Sequence, residues 1–180
     1  PDGSVAIDFG AYAASAAALR LSALGAVLRT VGGGRHPAAR AAVATLDGAL
    51  AAPGFSGASL AGCLVARQRR KLLVAREVGR VARPVALEPG MWTVWDGRYR
   101  LWLHRTGADH TGFEVGALGT AAYARLRRAL GIRLPSRVAA TLPAVYERGR
   151  LMAVPGLGWS EASAPLVEQR LAPLWPLAVE

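Results

Sequence analysis

Asp96-Gly97 is the dipeptide that most narrows what this chain can fold into. Asp and Gly tolerate the positive φ angles of a two-residue type I′ turn, and here two β-prone runs, 91–95 and 98–103, flank them. The pattern predicts a β-hairpin from Met91 to Leu103. A two-residue loop fixes its register: Trp95 faces Arg98, Val94 faces Tyr99, Thr93 faces Arg100 and Trp92 faces Leu101. Because side chains alternate between faces, Trp92, Val94, Tyr99, Leu101 and Leu103 are expected on one core-like side. Trp95, Arg98, Arg100 and Trp102 are expected on the other. That second set reads either as an aromatic and cationic platform for a nucleic acid or as cation–π pairs on a solvated sheet.

Charge bears on that choice. The 180 residues carry 22 Lys and Arg against 12 Asp and Glu, a net charge of +10, and Lys71 is the only lysine. Such an excess favours a polyanionic partner. With 52% hydrophobic and 19% charged residues the composition is that of a globular chain, long enough for one ordinary domain or two small ones. The apolar share leans on alanine, and no uncharged run of about 18 apolar residues occurs, so no membrane association is expected. The single cysteine, Cys63, excludes an internal disulfide and fits a cytoplasmic location. No secretory leader is read, and the opening Pro-Asp-Gly, without an initiator Met, is expected of a fragment.

Taken in order, residues 5–9 read as a short extended segment. From Ser15, a fair N-cap, Leu21, Leu24, Leu28 and Val31 recur at spacings of three and four, which predicts an amphipathic helix over 16–31 ended by Gly32-Gly33-Gly34. Pro37 suits the first turn of a second helix over 37–50, with Val43, Leu46 and Leu50 on one face. Ala51-Ala52-Pro53-Gly54 then breaks the pattern, and the period changes from 3.6 to two. Residues 59–67 and 72–76 read as strands around Gln68 to Lys71, with Arg67, Arg69, Arg70 and Lys71 at the tip. A polar loop is expected from Thr106 to Gly112 and a short strand from Phe113 to Val115. A third helix, about Thr120 to Leu130, turns Tyr123, Leu126 and Leu130 inward and Arg125, Arg127 and Arg128 outward. A second hairpin joins Ala144–Tyr146 to Leu151–Val154, and a weakly structured tail holds Pro165, Pro173 and Pro176. The expected fold class is therefore α+β: a small helical subdomain (1–53) packed beside antiparallel hairpins with one further helix (54–160), then a Pro-rich tail (161–180).

Catalytic patterns are sparse. His36, His104 and His110 are far apart, no Cys–His or His–carboxylate spacing matches a metal site, and Cys63 sits in an apolar strand as a small hydrophobe. No Gly-x-Ser-x-Gly, Rossmann or Walker pattern occurs. On these residues the chain reads as a basic accessory module, with no catalytic residue and no metal site of its own.

One order of motifs carries more. A helix, Val-Gly-Gly-Gly-Arg-His-Pro (31–37), a second helix, Ser-Leu-Ala-Gly-Cys-Leu-Val (59–65), Leu-Val-Ala-Arg-Glu (73–77) and Val-Trp-Asp-Gly-Arg-Tyr (94–99) follow one another. Leu-Arg-Arg-Ala-Leu-Gly-Ile-Arg-Leu-Pro-Ser-Arg (126–137) and the segment 142–157 come later. This succession, over roughly residues 15–160, resembles the C-terminal half of bacterial tRNA(Ile)-lysidine synthetases, especially the proteobacterial branch. Their Ser-Gly-Gly-x-Asp-Ser pyrophosphate loop does not occur in this sequence. The resemblance implies a ligase for tRNA processing that uses ATP and Mg to adenylate the wobble cytidine of a CAU-anticodon tRNA and joins lysine to it as lysidine. ATP binding would then belong to an N-terminal domain outside the chain, with no cofactor in this portion, which would hold the tRNA. The residues expected to bind RNA are Arg67, Arg69, Arg70, Lys71, Arg98, Arg100, Arg125, Arg127 and Arg128, with Trp95 and Trp102 as stacking surfaces. The alternatives are a stand-alone RNA-binding module and a protein-interaction domain whose Ala-rich helices form a homo-oligomer interface.

Overall fold

The structure is a computed structural model that describes residues 2–104 and 112–171. The expected loop from Thr106 up to Thr111, His110 within it, and Pro173 and Pro176 of the expected tail lie outside the described residues. Among those described are five helices and three antiparallel sheets, an α+β fold, and the chain divides into two compact units between Arg80 and Val81.

The first unit runs through β1 (Val5–Asp8), α1 (Phe9–Ala14), α2 (Ala17–Gly32), α3 (Arg40–Leu50), β2 (Ala58–Leu60), β3 (Cys63–Gln68) and β4 (Lys71–Arg76). Its sheet has the order β1-β4-β3-β2. The apolar stripes expected from spacing do meet it: Leu24, Leu28 and Val31 of α2 and Val43, Leu46 and Leu50 of α3 share one core with Cys63, Val65, Leu72 and Val74. The boundary expected near Pro53 therefore falls inside a unit. The helices and β2–β4 bury their apolar faces in this one shared core, so the change of period marks a change of layer and not a domain edge.

Local chemistry explains three further departures. Ser15 does not cap α2, whose N-cap is Ala16; its N–H bonds to Tyr12 O and its hydroxyl to Ala11 O, closing α1, which Asp8 opens by accepting the Ala11 N–H at 2.9 Å. Pro37 precedes the second helix, which starts at Arg40. Residues 59–67 are not one strand, because Ala61 and Gly62 take φ of 51° and 74° and fold the segment into a hairpin. At that turn α2 comes close: a Cβ on Gly32 would lie 2.1 Å from Ala61 O. The Cys63 thiol donates to Leu28 O at 3.2 Å in the same place.

The three helices of this unit are tied by Asp47, which accepts from Tyr12 Oη at 2.6 Å and from Arg20 Nε and Nη2 at 3.0 Å. The Arg20 hydrogen bonds hold the Asp47 carboxyl below its ordinary range against the opposing effect of burial, while burial and then Asp47 push the Tyr12 phenol up.

The second unit contains β5 (Val85–Ala86), β6 (Trp92–Trp95), β7 (Tyr99–Leu103), β8 (Phe113–Ala117), α4 (Gly119–Leu130), α5 (Ser136–Ala139), β9 (Pro143–Glu147), β10 (Arg150–Val154), β11 (Trp159–Ser160) and β12 (Val167–Leu171). They form a five-stranded sheet, β11-β10-β9-β8-β5, and a three-stranded sheet, β12-β7-β6. Tyr123 and Leu126 of α4 face inward as expected, whereas Leu130 is 45% exposed in the final turn. The expected weakly structured tail is corrected in its described part: Val167–Leu171 pairs along all of β7, from Val167↔Leu103 to Leu171↔Tyr99. Pairing with a buried strand supplies what tail composition alone does not reveal.

The hairpin at Asp96-Gly97 forms, with φ of 53° and 64° and the Arg98 N–H bonded to Trp95 O, but its ladder is one residue out of the expected register. Arg98 stays in the loop, and the pairs are Trp95↔Tyr99, Val94↔Arg100, Thr93↔Leu101 and Trp92↔Trp102. A slip of one exchanges the faces of the whole first strand.

Two outcomes test this description. Gly32→Ala should lower stability by about 1–3 kcal/mol in denaturant unfolding, since backbone stands in the way, whereas Gly25→Ala, with open space at its Cβ, should be neutral or stabilising. The depressed Asp47 carboxyl contributes fully above the unfolded carboxylate value of about 3.9 and is lost as pH falls through the lower folded value. The stability gap between the natural chain and Asp47→Asn, measured by urea midpoints, should therefore be wide near neutrality and close in acid.

Candidate nucleic-acid interface

The basic hairpin tip is built by β3 and β4, which pair as far as Gln68↔Lys71 and turn at Arg69-Arg70, with Arg69 at φ 53°. The Phe9 N–H bonds to Arg70 O at 2.7 Å, so β1 and α1 brace the turn from one side. Arg67, Arg69, Arg70 and Lys71 are all exposed, and the Arg67 guanidinium rests 4.3 Å from the centre of the Phe9 ring. None of the four makes an ion pair among the described residues.

In the second unit α4 presents Arg125, Arg127 and Arg128 to solvent, because Tyr123 and Leu126 occupy its buried face. Arg127 and Arg128 lie in the last turn, where cations also favour the helix dipole. These three likewise have no ion-pair partner among the described residues.

The register of β6 and β7 divides the remaining expected residues. Trp95 is 1% exposed, packs against Tyr99 and donates its indole N–H to Arg83 O at 3.2 Å; it is core, not platform. Arg98 is 3% exposed and is corrected in the same way. Its Nε donates to Asp96 Oδ2 at 2.7 Å and its Nη2 to Thr141 O at 2.7 Å, while Nη1 has no partner. A guanidinium so enclosed cannot reach a phosphate. Arg100 and Trp102 do stand on the outer face, as expected, but beside residues assigned elsewhere.

That face carries two cross-strand rows. One is Trp92, Trp102 and Glu168; the other is Val94, Arg100 and Arg170. Trp92 and Trp102 have ring centres 5.5 Å apart, and Arg170 lies 5.1 Å above the Trp92 ring. Glu168 accepts from His104 at 3.1 Å and from Arg170 at 3.3 Å.

No family model, curated protein or solved structure matches this chain.

Among the described residues no helix is long and apolar enough to cross a membrane, and no group of three His, Cys, Asp or Glu is placed to hold a metal. Sequence reasoning missed Trp92, through the register, and Arg170, through the tail. The second had a signal: Val167-Glu168-Gln169-Arg170-Leu171 alternates with period two between Pro165 and Pro173.

The division of the hairpin is testable by stability alone. Trp95→Ala should cost about 3–5 kcal/mol through lost packing, and Arg98→Ala a similar amount because the buried Asp96 carboxylate would lose the Arg98 guanidinium. Arg100→Ala should stay within about 0.5 kcal/mol of the natural chain in the same urea titration.

Proposed function

We propose that this chain is the tRNA-binding C-terminal portion of an ATP-dependent ligase that joins lysine to the wobble cytidine of a CAU-anticodon tRNA, acting in the cytoplasm. The observation that carries the RNA-binding part is a charge imbalance at defined elements. Four cations project from the β3–β4 tip and three from α4, none neutralised by a carboxylate among the described residues. Cations held on rigid elements fix the register of a polyanion by phosphate contact and carry no sequence information themselves. The order of motifs that resembles the lysidine-forming ligases supports the choice of tRNA as that polyanion. In this reading adenylation belongs to a separate ATP- and Mg-binding domain, and these residues supply affinity.

The mechanism is counterion release. Each phosphate neutralised by an Arg or Lys frees condensed cations, so affinity falls linearly in log salt. The triple variant Arg69→Ala, Arg70→Ala, Lys71→Ala should reduce the magnitude of the slope of log affinity against log salt by roughly 2 for tRNA, at about 0.7–0.9 per lost contact. It should weaken unrelated RNAs in parallel. Filter binding across a salt series measures this, and an unchanged slope removes the tip from the RNA path.

A further inference from the structure

We infer that the outer face of the β12-β7-β6 sheet is a binding site for unpaired nucleotides, with Trp92 and Trp102 stacking the bases and Arg100 and Arg170 holding the phosphates. The inference rests on the RNA-binding reading and adds a single-stranded ligand at a site that phosphate contacts alone do not define.

Three features point to this occupant. Arg100 sits directly across from Arg170 in the ladder, and like charges so opposed destabilise a sheet pair unless an anion lies between them. Protein groups supply little: Glu168 is the one acid in the two rows, and it already serves His104 and Arg170, while Arg100 has no side-chain partner among the described residues. The second feature is the indole pair in the neighbouring row. Trp92 is 38% exposed on the outer strand of the sheet, tilted 54° from Trp102, although a core lies on the opposite face of the same strands. Solvent-accessible aromatic rings on a sheet, beside the guanidinium groups of Arg100 and Arg170, match the alternation of flat base and anionic phosphate along a single strand. The third is the exposure of the cover. The Arg170 side chain is 70% exposed where it lies over Trp92, so a base can take its place against the ring while the guanidinium moves to the adjoining phosphate. A duplex buries its base faces and offers the indoles nothing.

The experiment compares three labelled probes on the full chain: a ten-nucleotide single-stranded oligoadenylate, a blunt RNA duplex of equal charge, and polyglutamate. The single strand should bind with quenching of tryptophan fluorescence. Trp92→Ala and Trp102→Ala should each weaken it by roughly 5- to 150-fold at unchanged salt slope, leave duplex and polyglutamate binding as they were, and Trp92→Phe should recover most of the loss. Arg100→Ala should instead reduce the slope by about 0.7. Circular dichroism and urea midpoints verify that each variant is folded. If folded Trp→Ala variants bind the single strand like the natural chain, the platform is refuted while the tRNA reading stands. An equal loss of polyglutamate binding would make the face a site for acidic peptide and refute the nucleotide assignment. Binding of neither RNA probe nor of tRNA would refute the RNA-binding reading and this site with it.

Discussion

Asp96 and Arg98 face each other with both side chains about 2% exposed, and the second unit's exposed chemistry follows from that contact. Drawing the guanidinium inward keeps Arg98 out of the ladder, so pairing starts one residue later, at Trp95↔Tyr99. Trp95 then joins Tyr99, Leu101 and Leu103 in the core, and Trp92 is turned outward beside Arg100 and Trp102. Asp96 also accepts the Ala82 N–H at 2.9 Å, and Arg98 reaches Thr141 O, which anchors the turn to two other stretches of the unit. A buried ion pair of this kind gives specificity of register more readily than net stability.

The first unit solves a different problem. Its helices are rich in alanine and bring few large apolar side chains, so they must approach the sheet closely to exclude water. Gly32 allows that approach at the Ala61-Gly62 turn, where backbone meets backbone. Leu28, Val31 and Cys63 interlock around it.

The use of acidic residues connects the two units to the charge of the whole chain. Asp8 caps α1, Asp47 joins Tyr12 to Arg20, Asp96 is buried with Arg98, Glu161 lies 3.7 Å from Arg150, and Glu168 holds His104 and Arg170. Carboxylates engaged in these contacts are not paired with the cations of the β3–β4 tip or the outer face of α4. The β3–β4 tip and α4 therefore expose seven cations with no ion-pair partner among the described residues, which is what favours the polyanion proposed as their partner.

Composition and period by themselves determined a good deal. Apolar spacing set α2, α3 and α4 and their buried faces; alternation and turn dipeptides set the hairpins at Arg69-Arg70, Asp96-Gly97 and Arg148-Gly149; charge set the outward cations of α4 and the β3–β4 tip. These are local properties, written within a few residues of where they act. What only the tertiary structure decided is non-local. The face of Trp95 and Arg98 depends on Thr141, forty-three residues away, and on a core that rewards the slipped register. Residues 167–171 become a strand because β7 offers an open edge, and β2–β4 join the helices because the apolar faces of both meet in one core. A turn signal fixes where a chain reverses; a shift of one residue leaves the local geometry nearly unchanged, so the choice between the two registers falls to the partners packed against each face.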